Sequence, residues 1–181
     1  MVVGVDFGLE WLNGLSRDEA EAELRACCAS RRWAAVMATM RPFVDRAALW
    51  EAAVKTIEGL AWGDVEEALE AHPRIGERAG GDAREASWSR GEQAGVGAAG
   101  DEVKAALVEG NRAYEERFGH VFLICATGRS AGEMLGELRG RLGNEPEAER
   151  AVVRDELAKI TELRLAKLLG EDRAGGDRSG T

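Results

Sequence analysis

His72 is one of only two histidines in the chain, and Pro73-Arg74-Ile75-Gly76 follows it at once. Its imidazole can take and give a proton near neutral pH. Further on, Ser89-Arg90-Gly91-Glu92-Gln93 supplies a carboxylate, and the stretch between carries Gly80 and Gly81, a flexible link that lets the two approach. A histidine with a carboxylate that orients it or accepts its proton is an acid/base site in outline. Plainer readings exist for each residue alone: His72 as a helix-end cation, Glu92 as a first-turn acid behind Ser89. Residue types at this spacing do not by themselves specify a reaction.

The rest of the chain must position these groups. Its 181 residues, 45% of them hydrophobic, suffice for one sizeable core and are short for two independent ones. A formal net charge of −9 argues against nucleic-acid partners, which need clustered Lys and Arg. No apolar run has bilayer-spanning length, and the first residues lack the basic start of a signal peptide, so the expectation is a cytoplasmic protein without a membrane partner. Cys27, Cys28 and Cys125 have no metal-ligand spacing and read as reduced, buried thiols.

Helical periodicity dominates. Ser16 with Glu19 forms a capping-box pattern ahead of a helix from Arg17 to about Ala29, and Trp33, Val36, Met37 and Met40 continue the period until Arg41-Pro42 ends it. Asp45 caps a helix bearing Leu49, Ala53, Ile57 and Leu60; Gly59, Gly63 and Asp64 mark a break before Val65, Ala68 and Leu69. His72 then sits where this helix ends, before Pro73. A long loop is expected from Arg74 to about Trp88, with Ser89 capping the helix that carries Glu92 and Gln93.

Helix resumes from Asp101 to Phe118, with Gly119 as a left-handed exit. Val121 to Ala126 is an unbroken apolar run, read as an extended segment through the core, whose backbone groups need partners; a ligand can be one. Ser130 and Glu133 form a second capping-box pattern, and Pro146 suits the first turn of a long helix from about Ala148 to Leu169, with Val152, Leu157, Ile160, Leu163 and Leu168 on its apolar side and Arg164 close to that stripe. The tail, 171–181, reads as disordered. The architecture expected is all-α: a single-domain multi-helix bundle over 1–170, with a long active-site loop and a short extended core segment.

Several separated motifs, in order, then carry a resemblance. His72-Pro73-Arg74-Ile75-Gly76, Ser89 through Glu92-Gln93-Ala94-Gly95, Asn111 with Tyr114, Arg117 through Phe122, Ala126-Thr127-Gly128-Arg129-Ser130 and Leu163-Arg164-Leu165 resemble the OHCU decarboxylases, over roughly Leu12 to Leu169. That family converts 2-oxo-4-hydroxy-4-carboxy-5-ureidoimidazoline to (S)-allantoin in urate breakdown. The resemblance implies an all-helical homodimer, a small-molecule ureide substrate, and no metal or organic cofactor. It implies that His72 is the catalytic acid/base and Glu92 its carboxylate partner, with Arg164 anchoring the substrate. Ser89 and the backbone around Pro73, Gln93 and Ile124 would complete the pocket.

The chemistry needs no cofactor in principle. Electrons left by departing carbon dioxide can move into the ring C=N, and a histidine fixed on one face can then deliver a proton with one handedness. Glu92 either orients His72 or acts beside the leaving carboxylate; orientation is the favoured role, the other being ground-state destabilisation. His120 reads as structural, Arg129 as a solvated loop residue or an aid to binding an anionic substrate, and Trp33, Trp50 and Trp62 as core or interface anchors. Two rival readings are another small-ureide lyase or hydrolase on the same fold, and a non-catalytic helical interaction module, which would have no polar pocket and a large exposed apolar patch.

Overall fold

Local side-chain capping accounts for five of the ten helix starts among the described residues. The structure, a computed structural model, describes residues 5–77 and 84–170, and among these it contains helices and no strand. The fold is all-α. Gly80, Gly81 and the tail 171–181 lie outside the described residues. The described residues divide into two compact units: those up to Asp64 together with those from Ala158 onward, and Val65–Leu157.

In the first unit, Asp6 caps α1 (Phe7–Gly14), and Ser16 and Glu19 form the full capping box of α2 (Arg17–Cys27). The period does not run on unbroken from here. Cys28 is extended, and Ser30 accepts the Trp33 amide to start α3 (Arg31–Met40) as a separate helix. Apolar spacing on both sides of this short break hides it in the sequence. Asp45 caps α4 (Arg46–Glu58) as expected. The fully buried Trp33 donates its indole N–H to Ala53 O at 3.2 Å, tying α3 to α4. Arg41 donates to Leu12 O and Leu15 O at 2.6 and 2.8 Å, so a cation occupies the C-terminal end of α1, where carbonyls lack helical partners.

The helix α5 (Trp62–Glu70) belongs to the first unit up to Asp64 and to the second from Val65; it takes in Gly63 and Asp64, so these two residues do not form the expected break. His72 N donates to Leu69 O at 2.9 Å, a last tight turn that places His72 just past the helix end. Helix returns at α6 (Arg84–Glu92), earlier than expected: Trp88 is not in a loop, and Ser89 lies inside the helix and is not its cap. The residues α6 buries are Ser89 and Glu92, both polar, so there was no apolar stripe for periodicity to detect. A short helix, α7 (Ala94–Gly97), follows, then α8 (Asp101–Phe118), which Gly119 leaves at φ +78°.

After α9 (Ala131–Arg141), opened by the Ser130/Glu133 capping box, α10 (Pro146–Leu168) belongs to the second unit up to Leu157 and to the first from Ala158. It buries Leu157 and Ile160 as expected, but also Glu149, Val153, Glu156, Thr161 and Arg164, while Leu163 is exposed. Polar residues at helical spacing share the covered face, which is why its apolar stripe looks imperfect. In the second unit Glu149 is satisfied: Arg141 Nε and Nη2 donate to its Oε1 at 2.9 and 2.6 Å, the Tyr114 hydroxyl donates to the same atom, and Asn144 Nδ2 donates to Oε2 at 2.8 Å. Burial, reinforced by the Glu149 carboxylate, pushes the Tyr114 hydroxyl well above the usual phenol range, which keeps it a donor. Cys27 and Cys28 are buried and Cys125 half-buried, all three as free thiols.

Candidate active site

His72 and Pro73 line a cleft of about 630 Å³ in the second unit, together with Arg74, Glu115 and His120. Both histidines of the chain therefore border the same space. Ser89 and Gln93 line a second cleft of about 370 Å³, with Gly76, Arg90 and Lys104; Glu77 borders both. Glu92 is 8% exposed and shares a helix face with Ser89 one turn earlier.

The two sequence motifs meet through hydrogen bonds. Gly76 N donates to Gln93 Oε1 at 3.0 Å, and Gln93 Nε2 donates to Arg74 O at 3.3 Å. One side-chain amide thus uses both its acceptor and its donor on the backbone that follows His72. Asn111 Nδ2 donates to Ile75 O at 2.8 Å from α8, and Glu115, one turn along, receives Arg74 Nε and Nη2 at 2.5 and 3.0 Å. Three consecutive residues after Pro73 are held by side chains from α8 and from Gln93, the turn residue between α6 and α7. Gly76 has φ +94°, a conformation in which glycine carries no Cβ penalty.

Packing holds the same parts together from beneath. Ile75 from this loop, Val96 from α7 and Phe122, Ile124 and Ala126 from the extended run belong to one buried cluster with Leu107, Tyr114 and the α9 residues Met134, Leu135 and Leu138. The loop after His72, α7 and the Val121–Ala126 run thus share one core.

The run from Val121 to Ala126 is neither helix nor strand. Some of its backbone partners are side chains. Arg141 Nη1 donates to Leu123 O at 2.8 Å, and Cys125 N donates to Glu156 Oε2 at 2.7 Å. Ile124, between them and 3% exposed, has a backbone N–H and C=O with no hydrogen-bond partner among the described residues. Leaving such a group buried and unmade costs on the order of 1–3 kcal/mol, so an amide and a carbonyl here are available to a ligand.

Arg164 lies on α10 in the first unit and is 4% exposed, so it is not a surface arginine. Residue-type reasoning assigned no role to Asn111, Glu115, Arg141 or Glu156. Asn111 and Glu115 carry a signal in their four-residue spacing, which puts them on one face of α8. Nothing local marks Arg141 and Glu156, whose partners lie 18 and 31 residues away.

Comparison with known proteins shows the family. The family model described as OHCU decarboxylase matches residues 13–166. The uric acid degradation bifunctional protein TTL of Arabidopsis thaliana is 33% identical over 161 residues, covering 87% of this chain and 49% of that protein. The chain spans about half the length of that relative. The 2-oxo-4-hydroxy-4-carboxy-5-ureidoimidazoline decarboxylase of Amia calva is 35% identical over 143 residues, 75% of this chain and 79% of the relative. A crystal structure of OHCU decarboxylase in the presence of (S)-allantoin aligns with a TM-score of 0.69 at 34% identity, covering 81% of this chain and 96% of that one. With matched residues running from before α2 nearly to the end of α10, the chain belongs to the OHCU decarboxylase family.

Proposed function

We propose that this protein decarboxylates 2-oxo-4-hydroxy-4-carboxy-5-ureidoimidazoline and protonates the product stereospecifically to (S)-allantoin. Family membership supports the reaction. The observation that carries the site assignment is the backbone clamp: Gln93, next to Glu92, is hydrogen-bonded to the loop that begins at His72. In this reading His72 is the acid/base and Glu92 its carboxylate partner. Ser89, the backbone at Pro73, Gln93 and Ile124, and the guanidinium of Arg164 bind the ureide.

The mechanism follows from these groups. Loss of carbon dioxide leaves an electron pair that the ring C=N accepts, and the imidazolium of His72 returns a proton to one face of the planar intermediate. The rigid loop after His72 limits the directions from which that proton can come, which is how a fixed acid produces one handedness. The buried carboxylate of Glu92 orients the ring. Arg164 offers a planar fork of donors to a carbonyl or carboxylate oxygen.

The protein is further proposed to act as a cytoplasmic homodimer. Phe7, Trp11 and Val44, at 79%, 42% and 89% exposure, supply apolar surface of the kind subunit interfaces cover. No helix among the described residues is long and apolar enough to cross a membrane.

The test generates the substrate freshly from urate with urate oxidase and hydroxyisourate hydrolase and follows allantoin by circular dichroism. Wild-type protein should build up dextrorotatory (S)-allantoin much faster than spontaneous decay, and His72→Ala should abolish the acceleration. Racemic product at the spontaneous rate, from folded wild-type protein, would refute the proposal.

A further inference from the structure

Ile124 is left with two unpartnered backbone groups because its neighbours on both sides are held. A trans peptide is planar, with its C=O and N–H pointing in opposite directions, and in the described chain only Arg41-Pro42 is cis. Leu123 C=O is directed at Arg141, so the Ile124 N–H of the same plane is directed away from Arg141. Cys125 N–H is directed at Glu156, so the Ile124 C=O is directed away from Glu156. Both holding side chains are buried, and both bonds are charge-assisted. Arg141 is itself fixed by Glu149 and lies over the Phe122 ring, its guanidinium carbon 4.5 Å from the centroid.

We propose that Glu156 and Arg141 are positioning residues for substrate recognition: they lock the two peptide planes flanking Ile124, so that its N–H and C=O stand ready for the NH–C=O unit of a ureide. The inference rests on the reading of Ile124 as a backbone contact to substrate. It adds which side chains make that contact possible. A β-strand neighbour would pair with a run of backbone groups along the segment. Single side-chain partners take only the C=O before Ile124 and the N–H after it, and so leave its own two groups for a ligand. Neither Glu156 nor Arg141 need touch the substrate to do this.

The test compares wild type with Glu156→Gln, which retains an acceptor oxygen for Cys125 N, and Glu156→Met, which retains length but no such acceptor. Each is first shown to fold by its circular dichroism and melting transition. Glu156→Met should raise KM about tenfold with kcat changed less than about threefold, and Glu156→Gln should restore KM to within about threefold of wild type. In amide NMR spectra, (S)-allantoin should shift the Ile124 resonance in wild type and Glu156→Gln but not in Glu156→Met. A Glu156→Met variant with wild-type KM and a wild-type Ile124 shift overturns the inference, as does equal damage by both substitutions, which would make Glu156 a buried charge needed for the fold. Absence of turnover by folded wild type would overturn the proposed activity. The positioning role would then stand if allantoin moved the Ile124 resonance in wild type and Glu156→Gln but not in Glu156→Met, and would fall otherwise.

Discussion

Gln93 Oε1 accepts the backbone N–H of Gly76, and this bond joins the helix end that carries Glu92 to the loop that begins at His72. The partner bond from Gln93 Nε2 to Arg74 O makes the amide a two-point clamp. Replacing it by leucine removes both points while keeping bulk. Gln93→Leu is expected to lower kcat/KM about tenfold or more, equivalent to about 1.4 kcal/mol of transition-state stabilisation. Gln93→Glu keeps an acceptor for Gly76 but sets a carboxylate oxygen against Arg74 O, and should be at least as impaired. Steady-state kinetics on the two variants decides this; wild-type rates from Gln93→Leu would show that the clamp does not position the loop.

Asn111 shows the same loop from the other side. Its Nδ2 bonds to Ile75 O, while its buried Oδ1 has no partner among the described residues. Asn111→Leu deletes this unpartnered acceptor but leaves Ile75 O without its donor, so the two effects on stability oppose each other. A net loss of about 1–2 kcal/mol is expected, with a larger fractional loss in kcat. Asn111→Asp, which sets an acid oxygen against Ile75 O, should be the less stable of the two. Urea denaturation beside kinetics separates the two effects.

Gly95 has no room for a side chain. A Cβ there would stand 2.1 Å from Arg129 O, a backbone atom that cannot rotate away as a side chain can. Gly95→Ala should therefore cost about 2–3 kcal/mol by overpacking. Gly97→Ala, where a Cβ meets nothing, is the control and should be neutral or slightly stabilising. Thermal melts of both variants check the contrast.

Glu149 is fully buried with Arg141. Removing its charge strands a guanidinium in the core. Glu149→Leu is expected to lose about 3–5 kcal/mol, the cost typical of breaking one side of a buried pair. Tyr114→Phe loses a single hydrogen bond to Glu149, and about 1–2 kcal/mol should follow.

Asp6 gives the first unit a dependence on acid. It accepts the Leu9 amide as the cap of α1 and pairs with Arg46 at 2.5 and 3.0 Å. The hydrogen bond from Arg46 is the largest cause holding its carboxyl below the ordinary value near 3.8. A lowered carboxyl stabilises the fold above its unfolded pKa, and that contribution fades as pH falls through the lower folded value. Asp6→Asn should thus be less stable than wild type by up to about 1 kcal/mol near neutrality, and the gap should narrow steadily below about pH 4. Melting temperatures measured from pH 7 to pH 3 test the direction; a gap that widened in acid would contradict it.

Local chemistry was legible without the fold. Ser16 and Glu19, Asp45, Ser130 and Glu133, and Gly119 mark their helix ends by interactions within a few residues, so sequence alone located them. The helical segments followed from periodicity and the all-α fold from the family resemblance, while the apolar run at Val121–Ala126 showed as an interruption whose conformation periodicity could not assign. The start of α6 did not follow from periodicity, because a helix that buries Ser89 and Glu92 lacks an apolar stripe.

What tertiary structure alone decided is where polar groups find partners. Gln93 reaches Gly76 across 17 residues, Asn111 reaches Ile75 across 36, and Glu156 reaches Cys125 across 31. Residue types state what each side chain can donate or accept, and spacing states which helix face it occupies. Neither states which backbone group from a distant segment will stand three ångströms away. That depends on packing Ile75, Val96 and Ile124 into one core, a non-local event in which burial brings the segments together and hydrogen bonds then fix their register.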